Sequence, residues 1–229
     1  MIERSSPGRW ISHKFSKMYR LASYVSIYLF FFAIQSSFAQ GGENKIFKKG
    51  DQVCEAGGGI ALFFQTSITW KGQDTTYYES SGSFIFPVRY QYAVTDWFGF
   101  GGMFRFHNFF EGVNDESQAI AADLGARADF HFLRTRRIDG SAALGIGFSH
   151  MSWKGNDLSN QHFYGSGLHY DLELISRFFF SDHFGMHLCY GRTYLNLPNM
   201  ILEDDYGNRD ELKFLLSGWE FSIGLQVKF

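Results

Sequence analysis

The stretch SGWEFSIGLQVKF, residues 217–229, alternates without a break between apolar and polar side chains. Successive side chains of a β-strand point to opposite faces, so this alternation predicts a strand with two unlike faces. One face carries Trp219, Phe221, Ile223, Leu225, Val227 and Phe229. The other face carries glycine, serine and glutamine together with two charged residues, Glu220 and Lys228. Such a strand separates an apolar environment from a polar one.

Seven upstream segments repeat this period of two. They cover residues 52–66, 81–94, 97–110, 118–133, 141–152, 165–180 and 183–195. The fourth segment is rich in alanine and could pass for a helix, but Asp123, Arg127 and Asp129 all fall on odd positions while its apolar residues are even. The fold class predicted by these segments is all-β, an eight-stranded antiparallel up-and-down transmembrane β-barrel. The composition agrees, because 27 Phe, 12 Tyr and 25 Gly beside only 3 Pro suit strands better than helices.

The start of the chain has the three parts of a secretory signal peptide. Basic residues, Lys14, Lys17 and Arg20, precede an uncharged and largely apolar stretch at residues 21–34. Small residues follow, and we predict cleavage after Ala39. The apolar stretch is short for a transmembrane helix, so a retained anchor is the less favoured alternative.

Cleavage there divides the chain into a signal peptide (1–39), a periplasmic leader (40–50) and an outer-membrane barrel (51–229). A start at Met18 instead of Met1 would give a signal peptide of more usual length. The mature chain would hold 16 basic and 22 acidic residues. This negative balance argues against a nucleic-acid partner.

The connections between the predicted strands differ in length. The short ones, residues 95–96, 134–140 and 181–182, fall on the same side of the barrel as both ends of the mature chain. We expect that side to face the periplasm and the longer connections to face outward. Two of the outward connections are long and polar, at residues 67–80 and 196–216.

The polar faces of the strands predict a charged lumen. An eight-stranded barrel has room inside for side chains and little else. The charged residues expected there are Glu55, Arg89, Arg105, Asp123, Arg127, Asp129, Asp171, Glu173, Arg177, Glu220 and Lys228. The hairpin of the third and fourth strands should bring Arg105 beside Asp123. We interpret these charges as an ion-pair plug that stiffens the barrel, and a gated small pore is the alternative.

The sequence predicts no metal site, no cofactor and no catalytic residue. Four histidines are expected in the lumen, on different strands and at mixed depths: His107, His131, His169 and His187. A metal site needs several ligands that converge. Cys54 and Cys189 fall on opposite faces of their strands, which argues against a disulfide. The chain contains no GxSxG, P-loop, HExxH or CxxC motif.

One enzymatic alternative rests on His150 and Ser152, at the outward end of the fifth strand and on its apolar face. This pair weakly resembles the His-x-Ser arrangement of outer-membrane lipid A deacylases. The residue after Ser152 is Trp153 where that family has Asn, and no glutamate follows on the apolar face of the next strand. A lipid A-modifying enzyme is therefore the least favoured alternative.

Three stretches resemble the outer-membrane β-barrel-domain proteins of Bacteroidota and, more distantly, the OmpA/OmpX-type barrels. They are GDQVCEAGGGIALFF (50–64), FPVRYQYAVTDWFGFGGMFRF (86–106) and the final VKF (227–229). The resemblance implies location in the cell outer membrane and contact with outer-membrane lipid. It also implies that the terminal aromatic residue, Phe229, is the signal read by the barrel-assembly machinery.

The fold alone does not specify a function, since barrels of this kind serve as adhesins, enzymes, pores and scaffolds. We predict a structural or surface-interaction role through the outward loops. An extracellular ligand would meet residues 69–79, with three aromatic side chains, or the acidic residues 203–211.

Overall fold

The structure is a computed structural model that describes residues 45–70, 73–77, 81–110, 118–154, 162–204 and 206–229. The predicted signal peptide lies outside the described residues. Nine strands occur among them: β1 (Gln52–Trp70), β2 (Gln73–Tyr77), β3 (Ser81–Ala93), β4 (Phe98–Phe110), β5 (Gln118–Arg134), β6 (Ile138–Lys154), β7 (His162–Phe179), β8 (Phe184–Glu203) and β9 (Arg209–Lys228). The described part of the chain contains no helix that is long and apolar enough to cross a membrane.

Eight of these strands close into a ring. β1 and β3 to β9 follow one another as antiparallel neighbours, and β9 pairs back onto β1 from Val53↔Lys228 to Trp70↔Leu212. The short strand β2 pairs with the last five residues of β1, beyond the point where β1 leaves β3. The predicted eight-stranded antiparallel barrel is confirmed, with β2 as an addition that sequence periodicity did not reveal.

The two ends of the barrel differ. The termini end carries residues 45–50, residue 229 and the three short turns at 94–97, 135–137 and 180–183. The loop end is the opposite one, where β8 and β9 meet at residues 204–208.

The prediction of a long loop over residues 196–216 is wrong. β8 continues to Glu203 and β9 begins at Arg209, with Glu203 paired to Arg209 at the end of the hairpin. The register of β8 and β9 shifts between Leu197 and Met200, and both of these side chains point inward. A bulge of this kind changes which positions face the lumen, so the period of two is lost in the sequence although the strand continues. The polar connection predicted over residues 67–80 is likewise partly strand, since it contains the end of β1 and all of β2.

Asp204 organises the turn between β8 and β9. Its carboxylate accepts hydrogen bonds from the side-chain amide and the backbone N–H of Asn208, both at 2.8 Å, and from the N–H of Tyr206 at 2.9 Å. These hydrogen bonds, with the Asn208 amide first, hold the pKa of Asp204 below its ordinary value. Gly207 has a φ of 76°, a left-handed conformation that glycine adopts without strain.

The barrel is apolar on its outer face, and the middle of its lumen is lined by polar and charged side chains. In β9, Leu225 is 56% exposed while its neighbour Gln226 is 1% exposed. In β6, Leu144 and Phe148 are 64% and 72% exposed. Removal of apolar surface from water is favourable by about 25 cal/mol per Å². Contact with the hydrocarbon of a membrane removes these side chains from water as a protein core would. The outer surface is therefore that of a barrel that spans a membrane.

The lumen is filled in three layers. At the termini end, Phe47 is buried, packs with Val53 and Ala93, and stacks on His131 with ring centroids 3.6 Å apart. The middle holds the buried charged residues described below. At the loop end, a larger apolar cluster follows: Ala61, Phe63, Ile85, Phe109, Ala119, Ala121, Met151, Leu195, Leu197, Met200, Leu212 and Leu216.

Because the apolar face contacts lipid, the free-energy cost of placing an arginine on it should depend on the depth of that position in the membrane. Ile146 lies near the middle of β6 and Ile138 at its first residue, and both are exposed. Ile146→Arg should lower the free energy of unfolding in lipid vesicles by about 2–4 kcal/mol, and Ile138→Arg by about 0–1 kcal/mol. Guanidinium titration of the two variants measures the difference. Equal costs at both positions would contradict a membrane-spanning β6.

Candidate functional site

Four buried arginines occupy the middle of the lumen. Arg89 comes from β3, Arg105 from β4, Arg127 from β5 and Arg177 from β7, and none is more than 2% exposed. Alternation in the strands turns each of them inward, while the residues on either side turn outward. A buried guanidinium is tolerated only when carboxylates and hydrogen-bond acceptors surround it.

Glu173 on β7 joins three of these arginines. Its Oε1 accepts a hydrogen bond from Nη2 of Arg89 at 2.9 Å and from Nη2 of Arg105 at 3.0 Å. Its Oε2 accepts one from Nη1 of Arg127 at 3.1 Å. A single buried carboxylate therefore connects β3, β4 and β5 to β7 through the centre of the barrel.

A second acid, Glu220 on β9, approaches the same arginines. Nη1 of Arg105 lies 2.8 Å from Oε2 of Glu220, and Nη2 of Arg89 lies 3.9 Å from Oε1. Arg105 also lies 3.5 Å from Asp171. The charged network thereby includes the strand that closes the ring.

Nearer the termini end, Arg177 forms the second centre of the network. It donates to Glu55 on β1, to Asp139 at 2.9 Å and to Ser141 at 2.8 Å, both on β6, and to Gln91 on β3 at 3.1 Å. Arg177 thus links four strands.

The second partner of Arg127 lies on its own strand. Its guanidinium donates two hydrogen bonds to the carboxylate of Asp129, from Nε at 2.8 Å and from Nη2 at 2.7 Å. Bidentate pairs of this kind hold both side chains in one orientation. Arg127 therefore connects Asp129 to Glu173 and to the rest of the network.

The histidines predicted in the lumen are all buried there. His107 and Asp123 share a hydrogen bond of 3.0 Å, and His131 lies 2.8 Å from Asp139. His169 is 3.5 Å from Asp171. Each of these rings faces a different carboxylate.

Among the described residues, Glu173, Cys189 and Glu220 form a group whose potential metal-binding atoms all lie within 4.8 Å of one another. Guanidinium nitrogens of Arg89 and Arg105 already contact both of these glutamates, and Arg89 donates to the sulfur of Cys189 at 3.3 Å. Two fixed cations at this place oppose the entry of a third. The structure therefore supplies an anion–cation network there.

Ten of the eleven charged residues predicted for the lumen are buried inside it. The exception is Lys228, which is half-buried at the termini end. Its ammonium donates to the carbonyl of Ile46 at 2.8 Å and lies 3.4 Å from Asp51. Lys228 therefore holds the segment before β1 over the end of the barrel.

The register places Arg105 opposite Asp123, but the guanidinium turns to Glu173 and Glu220 instead. Asp123 takes His107 as its partner. Sequence reasoning missed Asp139, because residues 134–140 were predicted as a connection and β6 begins at Ile138. Its alternation with Ser141 was the signal that could have found it.

In the part of the chain that the structure describes, the outer face carries two serine–histidine contacts, and neither is the predicted pair. His150 hydrogen-bonds to Ser166 at 2.9 Å, and Ser152 to His162 at 3.0 Å. The interpretation of His150 and Ser152 as one catalytic pair is therefore not supported by their contacts. Both cysteines are free, in agreement with the sequence.

Comparison with known proteins identifies the fold. No protein-family model and no curated protein sequence matches the chain. Among solved structures, the outer membrane protein OprG from Pseudomonas aeruginosa has a TM-score of 0.56 at 14% identity, covering 80% of this chain and 97% of its own. Neisserial surface protein A has a TM-score of 0.50 at 13% identity, covering 79% and 98%. The chain thus has the fold of a small outer-membrane barrel, in agreement with the predicted location in the cell outer membrane.

The network predicts that Glu173 is far more important for stability than an acid at the surface. Glu173→Gln keeps the shape of the side chain but leaves three guanidiniums without their shared carboxylate, so the free energy of unfolding should fall by about 3–5 kcal/mol. Glu203→Gln is the matched control, because Glu203 pairs with the exposed Arg209 at 3.1 Å. It should cost less than about 1 kcal/mol. Chemical unfolding in lipid vesicles gives both values, and similar costs would show that the network contributes little.

Proposed function

We propose that the protein is a closed barrel of the outer membrane that serves a structural or surface-interaction role through its loop end. The observation that carries this proposal is the filled lumen. Buried charges in the middle, Phe47 at one end and an apolar cluster at the other all occupy the path that a solute would take.

The contacts across the lumen support closure over conduction. Glu173 and Arg177 each join strands on several sides of the ring. A solute could pass only if several of these buried ion pairs separated together, and removal of one partner from such a pair costs about 3–5 kcal/mol. The small pore considered from the sequence is therefore the second choice.

Conductance tests this closure directly. The purified barrel in a planar lipid bilayer should give no single-channel steps beyond those of protein-free bilayers, while a general porin in the same apparatus provides the positive control. Reproducible steps that appear only with the protein would favour the pore.

A role at the loop end is supported by the length of the strands there. β1 continues from Phe63, its last residue paired to β3, as far as Trp70. β8 and β9 remain paired up to Glu203 and Arg209. The apolar outer face ends well before these positions, since Asn196 and Lys213 point outward from the same two strands. The extended strands therefore hold residues 203–211 at a distance from the membrane.

If the loop end binds a partner at the cell surface, changes at the loop end should reduce cell adhesion and changes at the termini end should not. Replacement of residues 204–208 by a two-residue Asn-Gly turn keeps the hairpin of β8 and β9 but removes the Asp204 turn. Cells that display this variant should adhere no better than cells without the protein. The same assay on a variant without residues 71–79 tests the other candidate segment, and a variant in the short turn at 181–182 is the matched control. Unchanged adhesion in both loop variants would remove the surface-interaction role and leave a structural one.

The enzymatic alternative has one observation in its favour, the hydrogen bond of 3.0 Å between Ser152 and His162 on the outer face. An activated serine also needs a group that orients the histidine. Among the described residues, Glu203 is paired with His162 in the strand register, but its carboxylate bonds to Tyr164 and Arg209. We therefore do not adopt a lipid A-modifying activity.

A further inference from the structure

Arg192 is an arginine on the outer face of β8, between Tyr190 and Tyr194. Its neighbour across the strands is Trp219 on β9. The guanidinium carbon lies 5.0 Å from the ring centroid of Tyr194 and 5.3 Å from that of Trp219. The aromatic faces hold the cation flat against the barrel wall.

The charge of Arg192 has no counter-charge within the chain as the structure describes it. Its polar contact is a long hydrogen bond of 3.4 Å from Nη2 to the hydroxyl of Ser217. Its Nε is shielded from solvent and has no hydrogen-bond partner. The four arginines of the lumen, by contrast, each contact at least one carboxylate. A cation at an apolar surface is costly unless an anion from outside the chain reaches it.

Arg192 lines a notch of about 230 Å³ in the outer wall. The notch is formed by Phe64, Gln65, Arg192, Ser217, Gly218 and Trp219. The register of β1 and β9 shifts between Phe63 and Gln65, and this irregularity brings Gln65 to the wall opposite Ser217. The notch therefore offers a guanidinium, an amide and a hydroxyl at one place.

The notch lies where the outer face changes from apolar to polar. On the side of the termini end, Tyr190 and Phe221 are exposed apolar residues of the membrane-facing band. On the side of the loop end, Gln65 and Asn196 are exposed. Lipid headgroups meet a barrel at this boundary, and their acyl chains extend along the apolar band.

We propose that this notch binds the phosphate of a lipid in the outer leaflet. The planar guanidinium can present parallel N–H donors that match phosphate oxygens. Gln65 and Ser217 hydrogen-bond to the same headgroup, while the acyl chains cover Tyr190 and Phe221. The proposal goes beyond the function proposed above and does not depend on a closed lumen.

Binding of a defined lipid tests the site. The delipidated barrel in neutral detergent is titrated with dioctanoyl phosphatidic acid, and bound lipid is counted by native mass spectrometry. Arg192→Gln should weaken this binding by about tenfold or more, as expected for loss of a hydrogen-bonded charge. Arg209→Gln is the matched control, because this exposed arginine already pairs with Glu203. It should bind as the wild type does.

Two further probes identify what is recognised. Dioctanoylglycerol, which has the same chains without phosphate, should bind weakly and equally to the wild type and Arg192→Gln. Inorganic phosphate at the same concentration should give no bound species. Equal binding of the phosphorylated and neutral lipids, or binding of free phosphate as tight as that of the lipid, would overturn the proposal.

Folding of each variant is checked by heat-modifiable gel mobility. If Arg192→Gln does not fold, Arg192→Lys replaces it, because lysine keeps the charge but cannot present the planar pair of donors. Binding of phosphatidic acid should then fall by several-fold. Wild-type affinity in a folded variant at position 192 would overturn the assignment.

Discussion

The structure depends on the neutralisation of buried guanidiniums by carboxylates from other strands. Arg89, Arg105 and Arg127 meet one carboxylate, that of Glu173, at distances of 2.9, 3.0 and 3.1 Å. No two neighbouring strands could supply this arrangement, so the charges are satisfied only when the ring is closed. Closure in turn requires β9 to pair with β1, which places the apolar side chains of both strands on the outside.

This internal arrangement decides where a function can be located. A lumen occupied by side chains of fixed charge leaves little room for a solute, because an eight-stranded barrel is only wide enough to enclose its own residues. The surfaces that remain are the extended strands at the loop end and the outer wall at the headgroup boundary. The proposed interaction role uses the first of these surfaces, and the proposed lipid site at Arg192 uses the second.

Local periodicity was sufficient to predict the eight strands of the barrel and the orientation of the residues in their regular parts. It was sufficient for Glu220 and Gln226, which lie inside, and for Leu225, which lies outside. It failed where a register shift breaks the alternation, as between Leu197 and Met200. It also could not predict contact partners across the lumen, since these depend on the closed ring. Arg105 therefore lies opposite Asp123 in register but pairs with acids from β7 and β9.

The contacts of Arg192 could not be predicted from the periodicity of the sequence either. In the sequence it is one charged residue in an apolar series, and only the neighbouring strands reveal that Trp219 and Ser217 surround it. The structure places the apolar faces of the strands against lipid and the polar and charged side chains in the middle of the lumen. This orientation is tested by measuring nuclear Overhauser contacts between β9 side chains and acyl-chain protons, with the protein in lipid nanodiscs. We expect contacts for Ile223, Leu225 and Val227 and none for Ser222 or Gln226. Lipid contacts at Gln226, with Leu225 surrounded by protein, would contradict it.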